Sequence, residues 1–203
     1  MRTRRTAAHR VALLGFAAFS LCLRVPTVHA DGRLARSTDA ATVVVSYAET
    51  LGEIGLADAG PSVRVYGDGR LEVHYPQYMK RAGEWTAQLA PSEVDGLVAA
   101  LADDGVLDFD VAAVRRAQRD AAAARRQAAA LAGKPVTFEV TSDADTATIE
   151  VHLNTVHKKV AWPGLRADAR TYPEVAEIQR LAAAERKLRA LMEHGDLRRR
   201  ADQ

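Results

Sequence analysis

The 203-residue chain is predicted to be an α+β domain, with an antiparallel β-sheet of about six or seven strands and helices packed on one face. Three observations carry this expectation. Short runs of residues alternate between apolar and polar, the periodicity of half-buried strands. Gly, Asp and Pro separate these runs at hairpin spacing. Segments with apolar residues at i, i+3, i+4 and i+7 follow groups of strands instead of alternating with single ones, which disfavours a parallel sheet.

The first strand is expected at residues 42–47 (TVVVSY), a β-branched run. Residues 63–66 (VRVY) and 71–75 (LEVHY) flank Gly67, Asp68 and Gly69, so they read as a hairpin, and Pro76 closes its second strand because it has no N–H for the ladder. A loop at 77–83 leads to a strand at 84–89. Pro91 suits a first helical turn, Ser92 with Asp95 is the expected cap, and Val94, Leu97, Val98 and Leu101 form the apolar stripe up to Gly105. Asp110 is placed to cap a second helix, about 111–132, whose Ala, Arg and Gln content gives high helix propensity and little to bury. That helix is expected to project or lie loosely on the surface. Strands at 136–140, 148–153 and 157–162 come next, with a turn at 142–145. After Pro173 a final amphipathic helix uses Val175, Ile178, Leu181, Leu188, Leu191 and Met192, and residues 196–203 form a polar tail expected to fray.

The first thirty residues read as an export signal. Arg2, Arg4, Arg5 and Arg10 precede the apolar run VALLGFAAFSLCL, and Val28-His29-Ala30 offers cleavage near Ala30. Residues 31–41 are then a linker and 42–195 a single domain, periplasmic or secreted. The apolar run is too short for a transmembrane anchor. Five of the 28 basic residues lie in the signal and no acid does, which leaves 23 basic against 26 acidic residues, a net charge of −3. Nucleic acid is therefore not an expected partner. Cys22 is the single cysteine and falls in the signal, so disulfides, zinc thiolates and cysteine nucleophiles are excluded from the mature chain.

The hairpin VRVYGDGRLEVHY, the strand and helix EWTAQLAPSEVDGLVAALADDGVLDF and the later strand-strand-helix block together resemble uncharacterised secreted bacterial domains, in which a Y-x-x-D-G-type hairpin precedes strand and helix. The likeness covers about residues 60–193. It implies an α+β fold and brings no catalytic residues with it.

Candidate sites come from four patterns. Leu71-Glu72-Val73-His74 returns as Ile149-Glu150-Val151-His152, and alternation sends Glu72, His74, Glu150 and His152 to the polar face. If those strands are neighbours in register, two imidazoles and two carboxylates converge on a divalent metal, and His157 is near enough to join; otherwise they are ordinary wet-face residues. The loop containing Tyr75, Tyr78, Met79, Lys80 and Arg81 has the composition of a partner-binding surface, as does the segment with Trp162, Arg166 and Asp168. Arg115, Arg119 and Arg126 fall within about 40° of one another on the second helix. With Arg116 they form a candidate surface for anionic polymers or headgroups. No G-x-S-x-G, H-E-x-x-H, P-loop or G-x-G-x-x-G motif is present. The expected function is a non-catalytic domain that binds an envelope or extracellular protein or polymer and needs no cofactor; the alternative is a metal-binding or hydrolytic protein using the Glu/His pairs.

Overall fold

The computed structural model describes residues 32–51, 60–135 and 144–200. The segment expected to be an export signal, the strand expected at 136–140 and half of the turn expected at 142–145 lie outside the described residues.

The fold is α+β. Among the described residues seven strands form one sheet in the order β6-β5-β1-β2-β3-β4-β7, with every adjacent pair antiparallel. They are β1 (Val43–Thr50), β2 (Ser62–Tyr66), β3 (Arg70–Tyr75), β4 (Gly83–Gln88), β5 (Thr146–His152), β6 (His157–Pro163) and β7 (Arg198–Arg199). The helices are α1 (Pro91–Asp103), α2 (Val111–Leu131), α3 (Leu165–Thr171) and α4 (Ala176–Ala190). Among the described residues no helix is long and apolar enough to cross a membrane.

Alternation explains how the sheet is covered. Val45 and Tyr47 of β1, Val63 and Val65 of β2, Leu71 and Val73 of β3, Ile149 and Val151 of β5, and Val160 and Trp162 of β6 are all buried. They join Val94, Val98 and Leu101 of α1 and Ile178, Leu181 and Leu188 of α4 in one core cluster. The helices thus cover one face of the sheet. The intervening residues, Ser46, Arg64, Glu72, His74, Glu150 and His152 among them, form the opposite, wetter face.

The β2–β3 hairpin bends where expected. Gly69 holds φ +89°, which a side chain resists, and its N–H donates to the Tyr66 carbonyl at 3.0 Å. α1 starts at Pro91, but its cap differs from expectation: the Glu93 carboxylate accepts from the Ala90 N–H at 2.6 Å, while Asp95 faces outward and pairs with Arg36 at 2.8 Å. Asp110 caps α2 by accepting from the Ala113 N–H at 3.0 Å. α2 is anchored through Val114 and Ala122; its last turns are exposed, and Leu131 is 84% accessible.

The structure bears on four local readings. The linker at 31–41 is tied down over its described part, since Arg36 donates to the Gly67 carbonyl at 2.7 Å and Ala35 accepts from the Asn154 N–H at 2.9 Å. Trp162 and Asp168 do not share a loop: Trp162 lies within β6, and Gly164, at φ +68°, turns the chain into α3, which holds Asp168. The tail is not frayed at 197–200, because Leu197 is buried and Arg198 and Arg199 pair with Thr86 and Trp85 of β4. Lastly, the two echoing strands are not neighbours: β1 and β2 stand between β3 and β5.

Candidate metal centre

The register places the site. Glu150 and His152 are two residues apart on β5 and so share its polar face; His157, at the start of β6, lies directly opposite His152 across a tight turn in which the Leu153 N–H donates to the Val156 carbonyl at 2.7 Å. Cross-strand pairing thereby gathers three donor side chains on one hairpin. One ligand atom from each of Glu150, His152 and His157 falls within 4.8 Å of the other two.

His157 Nε2 lies 2.8 Å from Glu150 Oε1, and His152 Nε2 lies 3.7 Å from the same oxygen. Tetrahedral zinc, with bonds of about 2.0–2.2 Å, spaces its donors about 3.3–3.5 Å apart. The two observed separations bracket that value, and the ligand atoms of the two histidines lie within 4.8 Å of each other. The imidazole rings meet edge to face, with centroids 3.7 Å apart.

Lys159 shapes the site further. It faces Glu150 across the strand pair, and its Nζ is 3.5 Å from Oε2. A cation would therefore take Glu150 through Oε1 alone, with the second oxygen held by the ammonium. Lys159 also adds a positive charge that opposes metal binding. The contact with His157 holds the Glu150 carboxyl below the ordinary carboxylate range, helped by the charge of Lys159 and opposed by partial burial. Both histidine side chains are about half exposed, leaving a fourth position open to water.

The remaining members of the expected quartet are elsewhere. Glu72 lies in the same cross-strand row as Glu150, through Ser46 and Arg64, and three strand spacings of about 4.8 Å put it about 14 Å away. It is occupied by the Tyr66 hydroxyl at 2.7 Å, by Arg70 and by Arg200 at 3.6 Å. His74 Nδ1 meets Glu84 Oε1 at 2.5 Å. Between the two halves lies an open hollow of about 580 Å³ whose wall includes Ser46, Arg64, His74 and Glu150. The tetrapeptide echo is thus two similar strands, one of which carries a donor cluster with the help of β6.

Most side chains of the two expected contact segments make contacts within the protein. Tyr75 is buried and donates to the Met192 carbonyl at 2.5 Å. Arg81 stacks against the rings of Tyr75 and Trp85, at 5.1 and 4.4 Å, and Met79 packs on the core; Tyr78 and Lys80 remain exposed. Trp162 is fully buried, its Nε1–H donates to Asp168 at 2.8 Å, and the Arg115 guanidinium lies 3.8 Å over its ring. Arg166 turns inward to Glu49 and Glu185. In the arginine stripe, Arg115 serves this internal cluster, and Arg116, Arg119 and Arg126 are exposed.

Sequence reasoning missed a buried polar group on the other face of the sheet. Tyr47 Oη lies 2.7 Å from Glu49 Oε1 and 3.0 Å from Glu185 Oε1, and Arg166 and Arg189 close around the two carboxylates. The signal was present in outline: Glu49 continues the inward alternation of Val45 and Tyr47, and Glu185 extends the apolar stripe Ile178, Leu181, Ala182 by one helical step.

No protein-family model matches the chain, and no curated protein matches it.

Proposed function

We propose that this chain is an exported, non-catalytic binding domain, and that its ligand is a divalent transition-metal ion of the zinc class held by Glu150, His152 and His157. The observation that carries this reading is the convergence of three nitrogen and oxygen donors within 4.8 Å on one rigid hairpin. Two imidazoles and a carboxylate suit zinc, copper or nickel better than calcium or magnesium, which favour all-oxygen shells. Export is supported by the arginine-led apolar run at the start of the chain. A binding role fits better than catalysis because the donors sit on an open sheet near its edge, where none of the described residues closes over them to exclude water from a reacting group.

Calorimetric titration of zinc into the purified chain tests this. One site of micromolar affinity is expected, lost in His152→Ala/His157→Ala and retained in His74→Ala. Absence of binding to a folded wild type, or equal loss in His74→Ala, would sink the assignment.

A further inference from the structure

The covered face of the sheet holds a second feature, independent of the metal centre. Glu185 is 1% exposed, and its Oε2 is the buried side-chain oxygen without a hydrogen-bond partner among the described residues. Native proteins pair the large majority of buried side-chain oxygens, since an unpaired one forfeits its hydration. The other oxygen, Oε1, is served by the Tyr47 hydroxyl at 3.0 Å and Arg166 Nε at 3.4 Å. That hydroxyl has one proton and also faces Glu49 Oε1 at 2.7 Å, so even Oε1 shares its donor. Tyr47 stays neutral there, with its pKa pushed far above the ordinary tyrosine range, first by burial and then by the adjacent Glu185 charge.

Glu185 forms part of the wall of a cavity of about 330 Å³ that also borders on Asp145, Gly164, Arg166 and Arg170. This is at the small end of ligand pockets, which run from about 300 Å³ upward. Glu49 and Glu185 are buried, and with Asp145 they face the guanidiniums of Arg166 and Arg189, which leaves one formal negative charge in excess; Asp145, Arg166 and Arg189 are partly exposed. Arg170, also on the cavity wall, is exposed and makes no ion pair among the described residues. A molecule that complements this arrangement presents a hydrogen-bond-donating cation to the carboxylates and an anion to Arg170, a few ångströms apart.

We propose that this cavity binds a small zwitterion of the α-amino-acid class, with its ammonium group directed to Glu185 Oε2 and Asp145 and its carboxylate to Arg170. The ammonium supplies the donor that Glu185 lacks, and it neutralises the excess negative charge. The small volume restricts the ligand to a single amino acid or a compact dipeptide.

The test is an amide-shift NMR titration of the full chain in EDTA, which silences the metal centre and keeps the two readings separable. Glycine, L-alanine, L-leucine and L-lysine are the probes, and methylamine and acetate carry one end each. Saturable binding of at least one amino acid at about 1 mM or tighter is expected, at least tenfold stronger than either one-ended control. Glu185→Gln should weaken it about tenfold or more, since a charged acceptor is lost. Because a change at a buried site can also disturb folding, the exposed Arg170→Ala provides the second arm, with about a three- to fivefold loss expected from an exposed charge pair. The proposal is overturned if no amino acid gives a saturable shift, if methylamine binds as tightly as the zwitterion, or if Arg170→Ala leaves the affinity unchanged.

Discussion

Replacing Trp162 by Phe separates a structural tryptophan from a ligand-contacting one. The side chain is fully buried, lies edge to face with Phe109 at 5.8 Å, donates to Asp168 at 2.8 Å and sits beneath the Arg115 guanidinium. Phenylalanine keeps the edge-to-face partner but is smaller by about three heavy atoms, a loss of about 1 kcal/mol in transfer and about 1 kcal/mol for the residual cavity. Asp168 loses its indole donor but keeps Arg115 at 3.5 Å, so the hydrogen-bond loss is held to about 1 kcal/mol. The expected destabilisation is about 3 kcal/mol. Urea unfolding followed by circular dichroism at neutral pH measures it as a fall of about 1–2 M in midpoint with an unchanged slope. Trp85 is the second of the two tryptophans, so fluorescence of the variant reports on the opposite end of the sheet alone. A loss below about 0.5 kcal/mol would refute the reasoning, because a tryptophan that can be trimmed at so little cost is not part of the core.

Two further outcomes follow from the polar clusters. Lys159→Met should tighten zinc binding about three- to tenfold, since it removes a positive charge about 3.5 Å from the coordinating carboxylate; weaker binding would mean that holding Oε2 matters more than charge. Tyr47 has a raised pKa in the folded state, so its contribution to stability is complete below about pH 10 and is lost as the pH rises above that. Tyr47→Phe should cost about 1–3 kcal/mol at pH 7 and flatten the loss between pH 9 and 11, with a residual slope from Tyr66 and Tyr75, whose pKa values are also raised. Equal alkaline losses in wild type and variant, read from urea midpoints, would exclude Tyr47 as a source.

Most strand positions and the cap of α2 could be read from residues because each depends on neighbours close in sequence, whereas the cap of α1 falls to Glu93 instead of Ser92 and Asp95. The alternation in residues 63–75, the glycine turn between the two runs, and the Asp110 cap all form as expected. Strand order was not readable, because it depends on which edges meet in space; nothing in Ile149-Glu150-Val151-His152 says that its partners are β1 and β6 and not β3. For that reason the expected metal quartet divides, and Glu150 and His152 find their third donor in His157. α3 was hidden by Gly164, which looks like a breaker but adopts the left-handed conformation that starts the helix. β7 has no hydrophobic pattern of its own; its backbone pairs with β4 while the buried Leu197 anchors it.

The central place of β1 has a consequence for how the molecule assembles. This first strand is flanked by β2, which is close in sequence, and by β5, where Ser46 meets Glu150 roughly a hundred residues later. Loop closure over that length must precede the contacts that reward it, so folding is expected to be slow for a domain of this size. Until β5 has been synthesised, one edge of β1 has no native partner, and the hairpin of β2 and β3 cannot bury its apolar face against a complete core. Were the chain, proposed above to be exported, to travel unfolded, such a delay would serve it, since its sheet would close only after most of its length had passed.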